Sequence, residues 1–584
     1  MQKRWQERPC DADVVAALAH GLGIRRTTAR VLANRKVTSI EAARRFLTPS
    51  AADLHDPFLM NGMDRAVDRI ERAIARGERV LIAGDYDVDG VTSTALYLEL
   101  FGWLGAPLLY RIPHRLTEGY GLTEAGVHAA REQGVTLLIT ADCGTTAHAP
   151  IELASSFGID VIVTDHHEPQ ERLPPAYAVL NPHIPDSTYP AKELCAVGIA
   201  FKVAQALLGR HRSLAGSVGV RHVEPLLDSV LDLVALGTIA DVAPLRGENR
   251  YLVAEGLRAL TAGRRIGVAA LKEVCGIDRK PVDAGMVGFQ LGPRINAVGR
   301  LAAAHAGVTL LTTRDPHIAA AAARELDAAN KERRRIEEEM LAGAIARVER
   351  EVPLDRARSI VLADESWHPG VVGIIASRLV DRWHLPTVVI AVGPNGRGKG
   401  SGRSIAGFHL TRALDECRTC FEGFGGHAAA AGLTIRHDRI AEFRERFDAV
   451  VASSLSPDDA RPILPLDDEI DLADLTFPLL SEFARLAPFG MGNAEPVLTS
   501  HTLAPRSARI VGNNHLKLQV RHAGAFTFDV IGFGLGHLLP ADTTPVDLAY
   551  SARIETWQGQ DRIQLRLKDL RPSNAPRPGV EPGH

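Results

Sequence analysis

Apolar runs and amphipathic stretches alternate along the first third of the chain. RVLIAGDYD (79–87) is followed by VTSTALYLELFGWLG, PLLYRIP by TEAGVHAAREQG, TLLITADCG by HAPIELASSFG, and DVIVTDHHEP opens the next unit. Short apolar runs bounded by turn residues read as buried strands, and the stretches between them carry apolar positions at helical spacing. Strands alternating with helices predict a mostly parallel sheet covered on both faces. Residues 1–60, ahead of this pattern, read as short helical pieces such as DADVVAALAHGLG and SIEAARRFL. FKVAQALLG and EPLLDSVLDLVALGTIADVAPL continue it as helices.

The pattern then changes twice. Residues 316–350 are alanine-rich and charged throughout, which predicts one long helix acting as a rigid spacer. A second, smaller α/β segment follows over 351–460, starting with ARSIVLADESWHPGVVGIIASRLVDRW. Over 465–572 the period shortens to that of strands, in HLKLQVRH, FTFDVIGFG, DLAYSARIETW and DRIQLRLKDL, which suits a small β-barrel. The proline-rich end, 573–584, is expected to be disordered. The expected whole is a multidomain α/β protein: 1–60, a parallel-sheet domain over 61–315, the connecting helix, the second α/β domain and the C-terminal barrel.

Composition narrows the function. Lys and Arg number 67 against 70 Asp and Glu, a net charge of −3, so a polyanion partner must be held by local basic patches. The six cysteines are scattered, which fits a reducing cytoplasm. The one close pair, Cys417 and Cys420, lacks the second pair a zinc site needs. No run of about 18 apolar residues would form a membrane span, and the N-terminus has no signal-peptide core.

The strongest chemical signal sits at the strand ends. Asp85, Asp87 and Asp89 alternate directly after an apolar run, and no Lys or Arg lies between Arg79 and Arg111. Asp142 ends another strand, Asp165, His166 and His167 end a third, and Asp241 follows the apolar stretch LGTIA. Any one of these alone could be a turn former or helix cap. Together they would repel and raise one another's pKa values unless divalent metal neutralised them. A calcium loop is excluded, because position twelve from Asp85 is Leu96 and a strand precedes the loop. Short carboxylates with imidazole suit Mn²⁺ or Mg²⁺. The ligands suffice for two ions sharing a carboxylate, a standard device for phosphoester hydrolysis.

GPNGRGKGSGRS (393–404) nearly satisfies a P-loop, but Gly400 stands where a Ser or Thr should hold Mg²⁺, which excludes an NTPase. The run reads either as a flexible surface loop or as glycines that bring backbone N–H groups close to phosphate.

DYDVDG (85–90), ADCG (141–144), TDHHEP (164–169) and IADVAPL (239–245), in that order, resemble the motifs of the DHH phosphoesterase superfamily. IPHRLTEGYGL, LNPH, GPRINAVGR, SGRS, GFGGHAAAAG and LAPFGMGNAEPVL extend the resemblance over nearly the whole chain, to the bacterial RecJ family of single-strand-specific 5′→3′ DNA exonucleases. The resemblance implies a DHH domain, a connecting helix, a DHH-associated domain and an oligonucleotide-binding barrel. It implies two Mn²⁺ or Mg²⁺ ions, one on Asp87 and Asp142 with help from Asp85, the other on Asp89, Asp142, His166 and Asp241, with Asp142 bridging. Asp165 would orient its loop, and His167 and His427 would lie near the reacting phosphate. Arg115, Ser401 and Arg403 would bind the 5′-phosphate, with Gly426 beside His427 in the same substrate-binding domain. Arg294, Asn296 and Arg300 would contact the strand backbone, and Tyr120 would stack on a base. The barrel adds Arg506, Arg509, Lys517 and Arg521. A monomeric cytoplasmic enzyme of recombination and repair is implied, acting on single-stranded DNA alongside a single-strand-binding protein and a helicase. Two alternatives stay open: a DHH phosphodiesterase for short oligoribonucleotides or cyclic dinucleotides, and an inactive single-strand-binding protein.

Overall fold

In the computed structural model, the apolar run Val80–Gly84 is a fully buried strand at the turning point of a parallel sheet. The structure describes residues 3–114, 118–214, 224–301, 305–456, 460–521, 527–540 and 544–573. The first sheet has the order Leu108–Arg111, Val80–Gly84, Leu137–Ala141, Asp160–Thr164, Ala178–Leu180, every pair parallel. The chain runs outward from Val80–Gly84 to Leu108–Arg111, then crosses back to Leu137–Ala141. The order therefore reverses between Val80–Gly84 and Leu137–Ala141, and an open α/β sheet binds ligands at such a point, beyond the carboxyl ends of its strands. Gly84 pairs with Ala141, which sets Asp85 beside Asp142 there.

Helices Met63–Arg76, Val88–Trp103, Ala196–Leu214 and Leu231–Ala240 supply much of this domain's core. A buried ion pair, Lys202 to Glu248, lies within it, both side chains fully shielded from solvent. Lys202 also donates to the His55 carbonyl (2.8 Å), and Tyr189 donates to Glu248 (2.6 Å).

The connecting helix runs from Pro316 to Glu351, capped by Asp315. Its first half places Ala322, Ala323 and Leu326 in the first core, and its second half places Met340, Ala344 and Val348 in the core of the next domain. That domain has a five-stranded sheet ordered Phe421–Gly426, Ala430–Arg436, Arg397–Arg403, Thr387–Val392, Ile360–Asp364. Most of the glycine-rich run is regular structure: after a turn at 393–396, Arg397–Arg403 is the central strand. A Cβ at Gly398, Gly400 or Gly402 would come within 2.6, 2.7 and 2.9 Å of Ile390, Leu433 and Leu410. The glycines let the core pack against one face of the strand. Side chains alternate along a strand, so Lys399, Ser401 and Arg403 all project from the other face.

The second compact unit combines Gln2–Asp53, Pro244–Arg246 and Pro462–His584. Its sheet closes into a five-stranded barrel, because Leu498–Val511 pairs with both His515–Arg521 and Val546–Trp557. The segment expected as helical pieces over 1–60 begins instead with a strand, Arg4–Glu7, paired in parallel with Ile463–Leu466. Its helices Ala12–Leu22, Arg26–Asn34 and Ile40–Leu47 share one hydrophobic core with the barrel. Among the described residues no helix is long and apolar enough to cross a membrane. The tail beyond Ser573 and Arg115 lie outside the described residues.

Candidate metal centre

Five aspartates and two histidines converge at the switch point, each delivered by a strand or helix end. Asp85 follows Val80–Gly84 and is almost fully buried. Asp87 caps helix Val88–Trp103, accepting hydrogen bonds from the N–H groups of Asp89 (2.9 Å) and Gly90 (3.2 Å). Gly90 is required: a Cβ there would strike the Asp85 carbonyl. Asp89 points back into the domain, where the N–H groups of Ala196 (2.7 Å) and Val197 (2.8 Å), at the start of helix Ala196–Leu214, hold its carboxylate. A helix N-terminus favours negative charge.

Asp142 follows Leu137–Ala141 with φ 69, a left-handed conformation that a non-glycine residue rarely adopts. His166 Nε2 lies 3.2 Å from Asp142 Oδ1, 3.7 Å from Asp241 Oδ2 and 3.8 Å from Asp89 Oδ2. The 3.2 Å approach is misaligned for a hydrogen bond, and both Asp142 Oδ1 and His166 Nε2 stay buried without a hydrogen-bond partner. Buried polar atoms are normally satisfied; atoms aimed at a shared point and left unsatisfied fit a cation between them. Three sets of ligand atoms lie within 4.8 Å of one another: Asp85, Asp87 and Asp142; Asp89, His166 and Asp241; Asp142, His166 and His167. Hard oxygens with imidazole fit Mn²⁺ or Mg²⁺.

Asp165 plays a different part. Its two oxygens accept from the N–H groups of Thr145, His166 and His167 and from His167 Nδ1 (2.7 Å). Burial works to raise its pKa, but His167 and these hydrogen bonds outweigh it and hold the carboxyl well below its usual range. The same contact acts in reverse on His167: burial opposes its charge, yet Asp165 lifts it to about 9. Burial and the neighbouring His167 charge push His166 down to about 4, keeping it neutral.

Burial, then Asp87, raises Asp89 to about 7; burial, then Asp89, raises Asp241 to about 8; Asp142 is raised well above its usual range by burial and four surrounding carboxylates. A carboxyl whose folded pKa is raised loses stability as pH rises through that value. Between pH 6.5 and 8 neutral His166 adds no slope, and His167, raised to about 9, acts in the same direction as the carboxyls. Without metal, thermal stability should therefore fall over this window, by up to about 1.4 kcal/mol per pH unit for each carboxyl still protonated in the fold. Saturating Mn²⁺ should remove the carboxyls' share of the slope and add about 3 kcal/mol at a hundredfold excess over its Kd. A pH-independent melting temperature in EDTA would contradict this picture of the centre.

Supporting residues surround the ligands, and one of them, Asn181, was not singled out from the sequence. Asn181, in LNPH, donates to the His167 carbonyl (2.8 Å) and to Thr145 (3.0 Å), bracing the His166–His167 loop. Asn296 accepts from the Val88 N–H (3.0 Å), and Gly299 lets its helix approach the Tyr86 carbonyl. GPRINAVGR therefore buttresses the DYDVDG turn. Arg294, expected to contact the DNA strand backbone, pairs with Asp327 of the connecting helix (2.9 Å) and bonds the Gln290 carbonyl. Tyr120 donates to the Asp142 carbonyl (2.8 Å) and stacks edge-on against His167, with nearly half its surface exposed.

The second domain contributes a separate cavity of about 510 Å³, lined by Arg300, Lys399, Ser401, Arg403 and backbone of Gly370 and Gly373. Arg300 bonds the Gly370 carbonyl (2.9 Å), and Arg403 bonds Ser401 (2.9 Å). Among the described residues three cations line it and no acid does. Lys399 was read only as part of the glycine-rich run; once that run is a strand, its alternation with Ser401 and Arg403 brings it here. Gly426 and His427 sit on the exposed hairpin between Phe421–Gly426 and Ala430–Arg436 and do not line this cavity.

Comparison with known proteins finds three family models in order: the DHH family, N-terminal domain, over residues 79–238; the DHHA1 domain over 357–453; and the RecJ OB domain over 466–569. The chain is 39% identical over 571 residues to the single-stranded-DNA-specific exonuclease RecJ of Bacillus subtilis (strain 168), covering 97% of this chain and 70% of that one. The crystal structure of RecJ in complex with Mn²⁺ from Thermus thermophilus matches with a TM-score of 0.83 at 31% identity, covering 99% of this chain and 81% of that one. The Mg²⁺ complex of the same protein matches with a TM-score of 0.77 at 30% identity, covering 99% and 80%.

Proposed function

Because the chain belongs to the family of RecJ single-stranded-DNA-specific exonucleases, we propose that its acidic centre removes 5′-mononucleotides one at a time from the 5′ end of single-stranded DNA. The enzyme is a metal-dependent phosphodiesterase. The observation that carries the residue assignment is the overlap of the ligand sets at Asp142 and His166. Asp85, Asp87 and Asp142 would hold one Mn²⁺ or Mg²⁺ ion, and Asp89, Asp142, His166 and Asp241 the other. Bound divalent ions supply water activation and stabilisation of charge on the phosphoryl oxygens.

The chain's own residues do the rest. Water attacks the phosphorus joining the terminal nucleotide to the next, and the bond to the terminal nucleotide's O3′ breaks, with a proton passing to that oxygen. His167, protonated through Asp165, offers positive charge and an N–H to the scissile phosphate. Neutral His166 keeps a lone pair free for a cation. Tyr120 presents a half-exposed ring beside this point, suited to stacking on a base without reading sequence. Arg300, Ser401 and Arg403, with Lys399, would hold the terminal 5′-phosphate, and its capture would set the direction of cleavage. Gly426 and His427 would close on the substrate from the adjacent hairpin. A helicase that exposes the strand and a single-strand-binding protein that keeps it open are the partners this reading requires, in the cytoplasm, for recombination and repair.

Incubation of single- and double-stranded oligonucleotides, labelled at either end, with Mn²⁺, Mg²⁺ or EDTA tests the reading. Metal-dependent mononucleotide release from 5′ ends of single strands alone supports it; equal cleavage of duplex, or release from 3′ ends, overturns it. Arg403→Ala should lower the preference for a 5′-phosphate over a 5′-hydroxyl in kcat/KM by about 10- to 100-fold, the range for a charge-assisted hydrogen bond. An unchanged preference would remove Arg403 from the phosphate pocket.

A further inference from the structure

Tyr120 faces two ways. It is 46% exposed, yet the hydroxyl at its tip is turned into the metal centre. Tyr120 Oη donates to the Asp142 carbonyl (2.8 Å) and lies 3.1 Å from Nδ1 and 3.5 Å from Nε2 of His167. The rings of His167 and Tyr86 stand edge to face with Tyr120, centroids 5.6 and 6.4 Å away, so neither is stacked parallel on it. Stacking on a base uses only the face of a ring, and a bare phenyl group would serve. The hydroxyl therefore has a task that stacking does not explain.

The backbone it holds shows what that task is. Asp142 sits in the left-handed region at φ 69, which a non-glycine residue keeps only where its surroundings over-determine it. Here both ends of the residue are tied: its N–H donates to the Thr164 carbonyl (3.1 Å), and its own carbonyl accepts from Tyr120. The hydroxyl has one proton and a carbonyl can only accept, so that proton goes to Asp142. The lone pairs of Oη are left toward the imidazole of His167, whose Nδ1 is already engaged by Asp165 Oδ1 (2.7 Å). Similar distances to both ring nitrogens set Oη against the ring as a whole, not in line with one N–H. One oxygen thus touches two strand ends: Asp142 beyond Leu137–Ala141, and His167 beyond Asp160–Thr164.

We propose that the Tyr120 hydroxyl is a positioning group of the reaction, holding the Asp142 backbone and the His167 ring in one register, separately from any stacking by its ring. The inference rests on the reading of metal-dependent hydrolysis at this centre and deepens it. With its carbonyl held, Asp142 presents its carboxylate to both proposed ions at once. With the imidazole held, His167 meets the phosphate at a fixed place. A shift of about 1 Å in such groups can cost about a hundredfold in rate. Loss of the hydroxyl is therefore felt in turnover and metal affinity, not in the grip on DNA, to which the ring contributes.

Two variants of the full chain separate ring from hydroxyl: Tyr120→Phe removes the hydroxyl alone, and Tyr120→Ala removes both. Hydrolysis is followed on 5′-phosphorylated dT20 with Mn²⁺, and Mn²⁺ binding is measured without DNA by titration calorimetry. Tyr120→Phe should lose about 10- to 100-fold in kcat or in Mn²⁺ affinity, the range for groups that orient a metal ligand, with KM within about twofold of wild type. Tyr120→Ala should show the same loss and also raise KM about fivefold or more, the scale of one lost stacked base. Assays well below the lowest melting temperature keep all three proteins folded. Wild-type kcat together with wild-type Mn²⁺ affinity in Tyr120→Phe overturns the proposal, whatever happens to KM or to the melting temperature. The Mn²⁺ titration needs no turnover. A wild-type enzyme that released no nucleotides would therefore sink the hydrolysis reading and still leave the tie to Asp142 decided by metal affinity.

Discussion

Asp142→Ala lowers hydrolysis of single-stranded DNA at least about a thousandfold and leaves the fold standing. Asp142 contributes to two of the three sets of converging ligand atoms, so its loss removes a donor from each proposed ion. Several kcal/mol of transition-state charge stabilisation then disappear, and each 1.4 kcal/mol is about a factor of ten in rate. The second half of the expectation is less usual. In the absence of metal this carboxylate is a liability, since burial and four neighbouring carboxylates raise its pKa. The alanine variant in EDTA should therefore melt no lower than wild type at pH 8, while losing most of the stabilisation that Mn²⁺ gives the parent. Calorimetry with and without Mn²⁺ reads both. Full activity in the variant would refute the bridging role, and a large loss of metal-free stability would show that Asp142 belongs to the scaffold instead.

The largest expected effect on stability lies away from the chemistry. Lys202→Met leaves Glu248 buried and unpaired, and such half-broken pairs cost about 3–5 kcal/mol. The Tyr189 hydroxyl and the His55 N–H would still donate to Glu248, but neither carries charge. Adding Glu248→Leu should return most of the loss, because replacing both partners by apolar groups of similar size is often neutral. Urea unfolding of the single and double variants measures this. A single variant within about 1 kcal/mol of wild type would refute this account of the pair.

How much of this was readable beforehand depends on the residue. DYDVDG was legible because three acids directly after an apolar run, with no Lys or Arg between Arg79 and Arg111, repel one another unless a cation joins them, and the register of two parallel strands then sets Asp85 beside Asp142. Long helices such as 316–351 were legible from composition alone. The strand Arg4–Glu7 was not: it is four mostly polar residues whose partner lies more than 450 positions away. Glycine hid the strand Arg397–Arg403, because a missing side chain leaves no apolar period to read, although the alternation of Lys399, Ser401 and Arg403 was present. Arg294 shows another limit. A cation in a nucleic-acid enzyme invites a phosphate contact, and only the packing shows its pairing with Asp327. The N–H groups of Ala196 and Val197 that hold Asp89 could not have been found from side chains at all.

The connecting helix has a consequence for how the family can vary. It is embedded in two cores, so it works as a keyed shaft more than as a tether. Each residue added to it turns the second domain by about 100° and advances it about 1.5 Å. One inserted residue near Arg333 would swing the Arg300 side of the cavity proposed for the 5′-phosphate out of phase with Ser401 and Arg403. Seven residues would restore the phase to within about 20° but lengthen the shaft by about 10 Å. The length of this helix is therefore an internal calibration of the enzyme, and drift in it should be tolerated far less than drift in any surface loop.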